Sequence, residues 1–129
     1  MLRFNIQINE DTISNVLCSA IESGAGSGYW LKAVKVINFD SSLVTFETSF
    51  KEYPTYLVAL TDREDSGLQI ITHDKEKTAF INRQCIMDTL EIMAKQYAVN
   101  FGNILSKNSD AEDADVFLQV ACFGKVLYS

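Results

Sequence analysis

The sequence predicts an α+β fold, in which an antiparallel β-sheet is packed by an N-terminal helix and by C-terminal helices. Three observations support this class. Segments that alternate apolar and polar residues dominate the first half, one amphipathic helical pattern interrupts them early, and the last third is helical. The length of 129 residues and the hydrophobic content of 47% fit one core of ordinary size. We therefore expect a single domain over residues 1–129, with its strands arranged as a meander.

The strands are predicted from a period of two or from short apolar runs. Residues 2–9, LRFNIQIN, and 42–50, SLVTFETSF, alternate apolar and polar side chains. Further strands are predicted at 29–38, 55–62 and 67–74, and the short run 78–81 predicts either one more strand or an extension, which gives about four to six strands. The polar link REDSG between 55–62 and 67–74 indicates a hairpin, and Pro54 requires a strand end or a sheet edge.

The first helix is predicted after residue 10, with Asp11 as its N-cap and Gly24 as a left-handed C-cap. This placement decides how the glycines Gly24, Gly26 and Gly28 are interpreted. A phosphate-binding glycine loop follows a strand and opens a helix, whereas these glycines follow a helix end, where free carbonyl groups repel an anion. The segment therefore predicts a turn into the next strand.

The last third predicts two further helical regions. Asn82 can cap a helix that runs to Tyr97, and the helix restarts after a break near Asn100 and Gly102. A polar link then offers two alternative capping boxes, Ser109 with Glu112 or Asp110 with Asp113. The final helix, VFLQVACF, is apolar around nearly its whole circumference before Gly124, so it requires burial on all sides.

The net charge of −6 and the isoelectric point near 4.6 argue against direct nucleic-acid binding. They fit a partner with a basic surface, and the alternative is that the charge only keeps the protein in solution. Two acidic groups are candidates for this contact: Asp62, Glu64 and Asp65 in the hairpin link, and Asp110, Glu112, Asp113 and Asp115 before the last helix. The second group has an alternative role in capping, and it lacks the ligand series of a calcium loop. Tyr29 and Trp30 are candidates for an aromatic contact, or else half-buried core residues.

No catalytic set can be assembled from the sequence. His73 and Asp74 are adjacent, so they point to opposite faces of a strand, and an exposed loop histidine is the expected outcome. The cysteines Cys18, Cys85 and Cys122 lie far apart in helical patterns, which indicates reduced thiols and neither a zinc site nor disulfides. We expect no metal and no cofactor. There is no targeting segment and no apolar run that could span a membrane, so a cytoplasmic location is expected.

The apolar helix VFLQVACF and the tail KVLY also predict self-association, because a small domain has limited room to cover both. Phe117 and Phe123 are the candidate interface residues of a homodimer or higher oligomer.

The segments GSGYW, EIMAKQY and DAEDADVFLQVACFGKVLY resemble a group of small proteins encoded by tailed bacteriophages. That group has a glycine-rich turn before Tyr-Trp and ends in Asp-Val-Phe-Leu-Gln, then Phe-Gly, then a tyrosine. The match covers about half of the chain. Ala98 stands where the group has proline, and Ser129 where it has glycine. No catalytic residue is implied by the resemblance.

The resemblance implies an accessory protein that acts in the cytoplasm of a bacterial host. The expected function is a non-enzymatic inhibitor of a host defence protein, comparable to an anti-CRISPR protein, with its acidic surface on a basic site. The alternative is a small-ligand protein that sequesters a nucleotide signal, for which only Arg3, Arg63 and Arg83 supply arginine. A small hydrolase or transferase is the weakest reading.

Overall fold

The computed structural model describes residues 8–22, 29–37, 44–45, 64–74 and 77–128. Within these ranges the chain forms four helices and four strands, and the predicted α+β class with an antiparallel sheet is confirmed. The elements are α1 (Glu10–Glu22), β1 (Leu31–Ile37), β2 (Val44–Thr45), β3 (Gly67–Thr72), β4 (Thr78–Ile81), α2 (Arg83–Gln96), α3 (Ala98–Leu105) and α4 (Ala111–Phe123).

The described strands lie in the order β2-β1-β3-β4, and every neighbouring pair is antiparallel. This order departs from a simple meander in one place, because β3 pairs with β1 and not with β2. Tyr29 and Trp30, which were predicted in a strand, form a turn before β1. The predicted segments 2–9 and 42–50 lie largely outside the described residues. The segment 55–62, Pro54 and the three glycines at 24, 26 and 28 lie entirely outside them.

Two helix starts follow from side chains that cap the free backbone amides. Asn82 accepts a hydrogen bond from the Cys85 amide at 3.1 Å, as predicted. The N-cap prediction at Asp11 is wrong, because α1 begins earlier. The side chain of Asn9 accepts from the Asp11 amide at 2.8 Å, and Asp11 instead lies in the first turn, where the helix dipole favours a carboxylate.

The start of α4 resolves the choice between the two capping boxes. Asp110 accepts from the Asp113 amide at 3.0 Å, and the Asp113 carboxylate accepts from the Asp110 amide at 3.0 Å. The Asp110–Asp113 pair is therefore the capping box. The helix ends as predicted at Gly124, whose φ of 76° is the left-handed conformation that glycine adopts without strain.

The break between α2 and α3 falls at Tyr97 and not near Asn100 and Gly102, which both lie inside α3. Tyr97 has φ −132° and ψ 49°, and its backbone amide still donates to the Met93 carbonyl at 3.0 Å. Its hydroxyl accepts a hydrogen bond from the Val126 amide at 3.2 Å. The helix break thus coincides with a contact to a residue 29 positions later in the chain. The local sequence pattern does not reveal this contact, so the position of the break was mispredicted.

The last helix lies at the centre of the core. α4 packs against α1, α2, α3 and β4, as its apolar circumference predicted. Phe117 is 0% exposed within the single chain, so its assignment to an oligomer interface is wrong. Phe123 is half-buried, and its ring packs against two other aromatic rings of the same chain. Its prediction as an interface residue therefore loses its main support.

Candidate functional site

Exposed carboxylates gather at one end of the molecule, where α1, α2 and α4 begin. Nη1 of Arg83 lies 3.9 Å from Oε1 of Glu10, which joins the first turns of α1 and α2. Nδ2 of Asn82 donates to the Glu64 carbonyl at 3.1 Å, which places the turn before β3 beside the start of α2. Asp11 and Ser109 line one groove, so the start of α4 lies next to the start of α1.

These contacts connect the two acidic groups that the sequence left as alternatives. The turn before β3 contacts the start of α2, and the start of α2 is joined to Glu10 of α1 by Arg83. Ser109, just before α4, lines a groove together with Asp11 of α1. We call the resulting set of exposed acidic residues the acidic end; it consists of Glu10, Asp11, Glu64, Asp65, Asp110 and Glu112. Arg83 and Lys107 lie among them, and two positive charges leave the described residues of this end with a negative balance.

Helix geometry explains part of this arrangement. Free amides and the positive end of the helix dipole favour carboxylates in the first turn of a helix. Glu10 and Asp11 occupy that turn in α1, and Glu112 occupies it in α4. Glu64 and Asp65 lie outside any helix, so capping does not account for them. The acidic end thus exceeds what the helix starts alone require.

Two members of the predicted acidic patch are not available to a partner. Asp113 is 3% exposed and Asp115 is 8% exposed, so their assignment as contact residues is wrong. Asp113 accepts hydrogen bonds from Nδ2 of Asn100 at 2.9 Å and of Asn103 at 3.3 Å, besides the capping bond. Asp62 lies outside the described residues.

The environment of Asp113 holds its carboxyl in the ionised form. Burial acts to raise its pKa, but the hydrogen bonds from the Asp110 amide and from the amide groups of Asn100 and Asn103 together outweigh burial and lower the pKa below its ordinary value. The same side chain therefore starts α4 and fixes α3 against it.

A groove of about 260 Å³ runs along one side of α1 at the acidic end. Most of its lining is polar, with Val16 and Ile104 as apolar contributions; the polar residues include Asn9, Asp11, Thr12, Asn15, Lys107 and Ser109. Among the described residues, the lining contains one cation and no aromatic ring. Within this described lining, Lys107 is the one side chain suited to pair with a phosphate, and none is suited to stack on a base.

A second cluster surrounds the carboxylate of Asp115. Nε1 of Trp30 donates to Oδ1 at 2.7 Å, the Tyr29 hydroxyl donates to Oδ2 at 2.7 Å, and Nε2 of Gln119 lies 3.2 Å from Oδ1. Trp30 is 2% exposed, so the prediction that it forms an exposed contact surface is wrong; its neighbour Tyr29 is 50% exposed and remains available. Loss of water around the phenol oxygen, and then its hydrogen bond to Asp115, raise the pKa of Tyr29 to about 12.

The cluster also holds residues 126–128, which follow the end of α4 and are here called the C-terminal strap. Oε1 of Gln119 accepts from the backbone amides of Leu127 and Tyr128, both at 2.8 Å. Nε2 of Gln119 donates to the Tyr128 carbonyl at 3.1 Å, and the Tyr29 hydroxyl lies at the same distance from that carbonyl. One glutamine side chain thus binds three backbone groups of the strap.

Aromatic packing completes this contact. The rings of Trp30 and Tyr128 are parallel, with an interplanar angle of 2° and centroids 5.6 Å apart, and Phe123 meets both edge-on. Nζ of Lys77 lies 5.8 Å from the centroid of the Tyr128 ring. The Tyr128 hydroxyl is buried, and no described atom forms a hydrogen bond with it.

Sequence reasoning missed Asp115 and Gln119 as a pair, although one indication was present. The two residues are four apart, hence on the same face of a helix that is apolar all around, and a polar pair on such a helix must be buried together. The partners Tyr29 and Trp30 lie 85 or more residues earlier, and nothing local identifies them.

The remaining chemical candidates are one histidine and three cysteines. His73 is exposed in the bend after β3, as expected. The three cysteines are free and half-buried. Burial, together with a hydrogen bond to Glu22, raises the pKa of the Cys18 thiol to about 11, and burial raises that of Cys122 further. Over the described part of the chain, histidine, cysteine and acidic side chains form no group that could hold a metal ion.

Among the described helices, none is both long and apolar enough to cross a membrane. The chain matches no protein-family model, no curated protein and no solved structure.

Proposed function

We propose that this protein is a non-enzymatic, phage-type accessory protein that inhibits a bacterial host defence protein by placing its acidic end on a basic surface of that protein. The observation that supports the proposal is the convergence of six exposed carboxylates from three separate chain segments at one end of the fold. Such a surface accelerates association with a basic partner and opposes contact with nucleic acid.

Tyr29 is not part of the acidic end, because no contact among the described residues connects the two. The polar groove lies at the acidic end, since Asp11 and Ser109 line it. A groove of this composition fits a polar side chain of a protein partner better than a nucleotide, and this favours the protein inhibitor over the nucleotide-sequestering alternative.

The experiment is a pull-down from a bacterial lysate with the intact protein and with charge-reversal variants. Glu64→Lys and Glu112→Lys change the acidic end on both sides of α1, and both side chains are exposed, so the fold should survive. Glu91→Lys is the matched control, because it makes the same change of charge in the third turn of α2, away from the start of that helix.

We expect each acidic-end variant to slow association with the captured protein and to weaken the salt dependence of binding, while the Glu91→Lys variant binds like the parent. Equal effects from all three variants would indicate a response to net charge alone and would contradict a defined contact surface. Recovery of a small molecule without any protein would support the nucleotide-sequestering alternative.

A further inference from the structure

The C-terminal strap is attached to the body of the protein in a manner that resembles a bound peptide. No backbone-to-backbone hydrogen bond joins residues 126–128 to a described strand or helix. Their backbone groups are bound by the side chains of Gln119, Tyr97 and Tyr29. Opening of the strap would therefore break side-chain hydrogen bonds and the Tyr128 ring contact, but no sheet ladder and no helix, so it does not require unfolding of the rest of the protein.

The residues before the strap allow such an opening. Gly124 has φ 76° and is the left-handed residue at which the chain leaves α4. Gly124 and Lys125 are exposed, and Leu127 is 38% exposed. The buried part of the strap is mainly the ring of Tyr128 on Trp30.

The site that receives this ring is mismatched to tyrosine. The ring has a parallel partner in Trp30 and an edge contact with Phe123, but its hydroxyl is buried without a hydrogen-bond partner among the described residues. A buried hydroxyl without a partner loses its bonds to water and gains nothing in return. An unsubstituted phenyl ring would keep the stacking and avoid this loss.

We propose that Trp30, Gln119 and Tyr97 form a peptide-binding site, that the C-terminal strap occupies it within the chain, and that its preferred external occupant is an extended segment of another protein with phenylalanine in place of Tyr128. In this site Gln119 binds backbone groups, which every peptide offers, and Trp30 binds one aromatic side chain. The site therefore selects among peptides only by the residue at the ring position. The inference goes beyond the acidic end and does not depend on it.

The test uses the emission of Trp30, which is the sole tryptophan of the chain and stacks on the strap. In the Tyr128→Ala variant Trp30 loses the ring that packs on one of its faces. Because that face becomes exposed to water, the fluorescence emission of Trp30 should shift to longer wavelength. Titration with the peptide Lys-Val-Leu-Phe-Ser should reverse the shift at about tenfold lower concentration than Lys-Val-Leu-Tyr-Ser, which reflects the unpaired hydroxyl. Lys-Val-Leu-Ala-Ser is the control and should have no effect.

Equal potency of the phenylalanine and tyrosine peptides, or no response from a folded Tyr128→Ala variant, would overturn the proposal. A second measurement does not depend on that variant. In the Tyr128→Phe protein, the amides of residues 127 and 128 should exchange with deuterium about tenfold more slowly than in the parent, because the docked strap is more stable. Unchanged or faster exchange would show that the ring site does not prefer phenylalanine. Both measurements use purified protein, so they can fail or succeed independently of the pull-down.

Discussion

Replacing Asp115 by alanine removes the acceptor that satisfies the indole N–H of Trp30. That N–H lies 2.7 Å from Oδ1, and Trp30 is 2% exposed, so no water can replace the lost bond. Gln119 retains the Tyr128 carbonyl as a partner at 3.1 Å, and the Tyr29 hydroxyl can donate to the same carbonyl. The main costs are thus the Trp30 indole N–H, which is buried without a partner, and the loss of the hydrogen bonds that Tyr29 and Gln119 make to the Asp115 side chain.

These terms sum to a loss of about 2–4 kcal/mol in the free energy of unfolding. The assay is urea unfolding followed by far-ultraviolet circular dichroism, with Glu112→Ala as the matched control on the same helix. Glu112 is exposed, so its replacement should change the free energy by no more than about 0.5 kcal/mol. Asp115→Asn keeps one carbonyl acceptor and should lie between the two variants.

A double-mutant cycle isolates the bond itself. Trp30→Phe removes the indole N–H, so the cost of Asp115→Ala should be smaller in that background than in the parent. If Asp115→Ala costs less than about 1 kcal/mol, or if the two effects add fully, the cluster does not stabilise the fold through this hydrogen bond and the reasoning is wrong.

Two further predictions concern the capping box and the glycines. The lowered pKa of Asp113 adds stability that is fully present above the unfolded value of about 3.9 and is lost as the pH falls through the lower folded value. The stability difference between the parent and Asp113→Asn should therefore shrink below about pH 4 in urea titrations, and a difference that is constant down to pH 2.5 would contradict it. Gly67→Ala should destabilise the protein by at least about 1–3 kcal/mol, because the new Cβ would collide with the Ile81 carbonyl. Gly102→Ala is its control, since that Cβ meets nothing within 4 Å inside α3, and it should raise the melting temperature.

Features that are decided within four or five residues could be predicted from the sequence. Asn82 and Gly124 act on amides or carbonyls of their own helix, so their residue types suffice to place those helix ends. At the start of α4 the sequence left two capping boxes, and the structure selects the Asp110–Asp113 pair. Asn9 was missed as a cap because Asn9 and Asp11 are both good N-cap residues, and spacing alone does not choose between them.

Features that depend on distant partners could not be predicted. By its residue type alone, Asp115 is expected at the surface. Its burial is possible because Trp30 and Tyr29, which are distant in the chain, donate hydrogen bonds that offset the cost of removing its side chain from water. The acidic end likewise depends on residues that are distant in the chain. Its segments at residues 10–11, 64–65 and 110–112 are far apart in the chain, and they come together because α1 and α2 both pack against α4.

The central position of α4 has a consequence for biosynthesis. Residues 111–123 are made late, yet they supply the surface against which α1, α2, α3 and β4 pack. Until the ribosome has released this helix, Ile13, Val16 and Leu17 of α1 have no α4 surface to cover them, although they are buried in the finished fold. The core should therefore form only once α4 has emerged, and until then the earlier elements should keep apolar surface exposed.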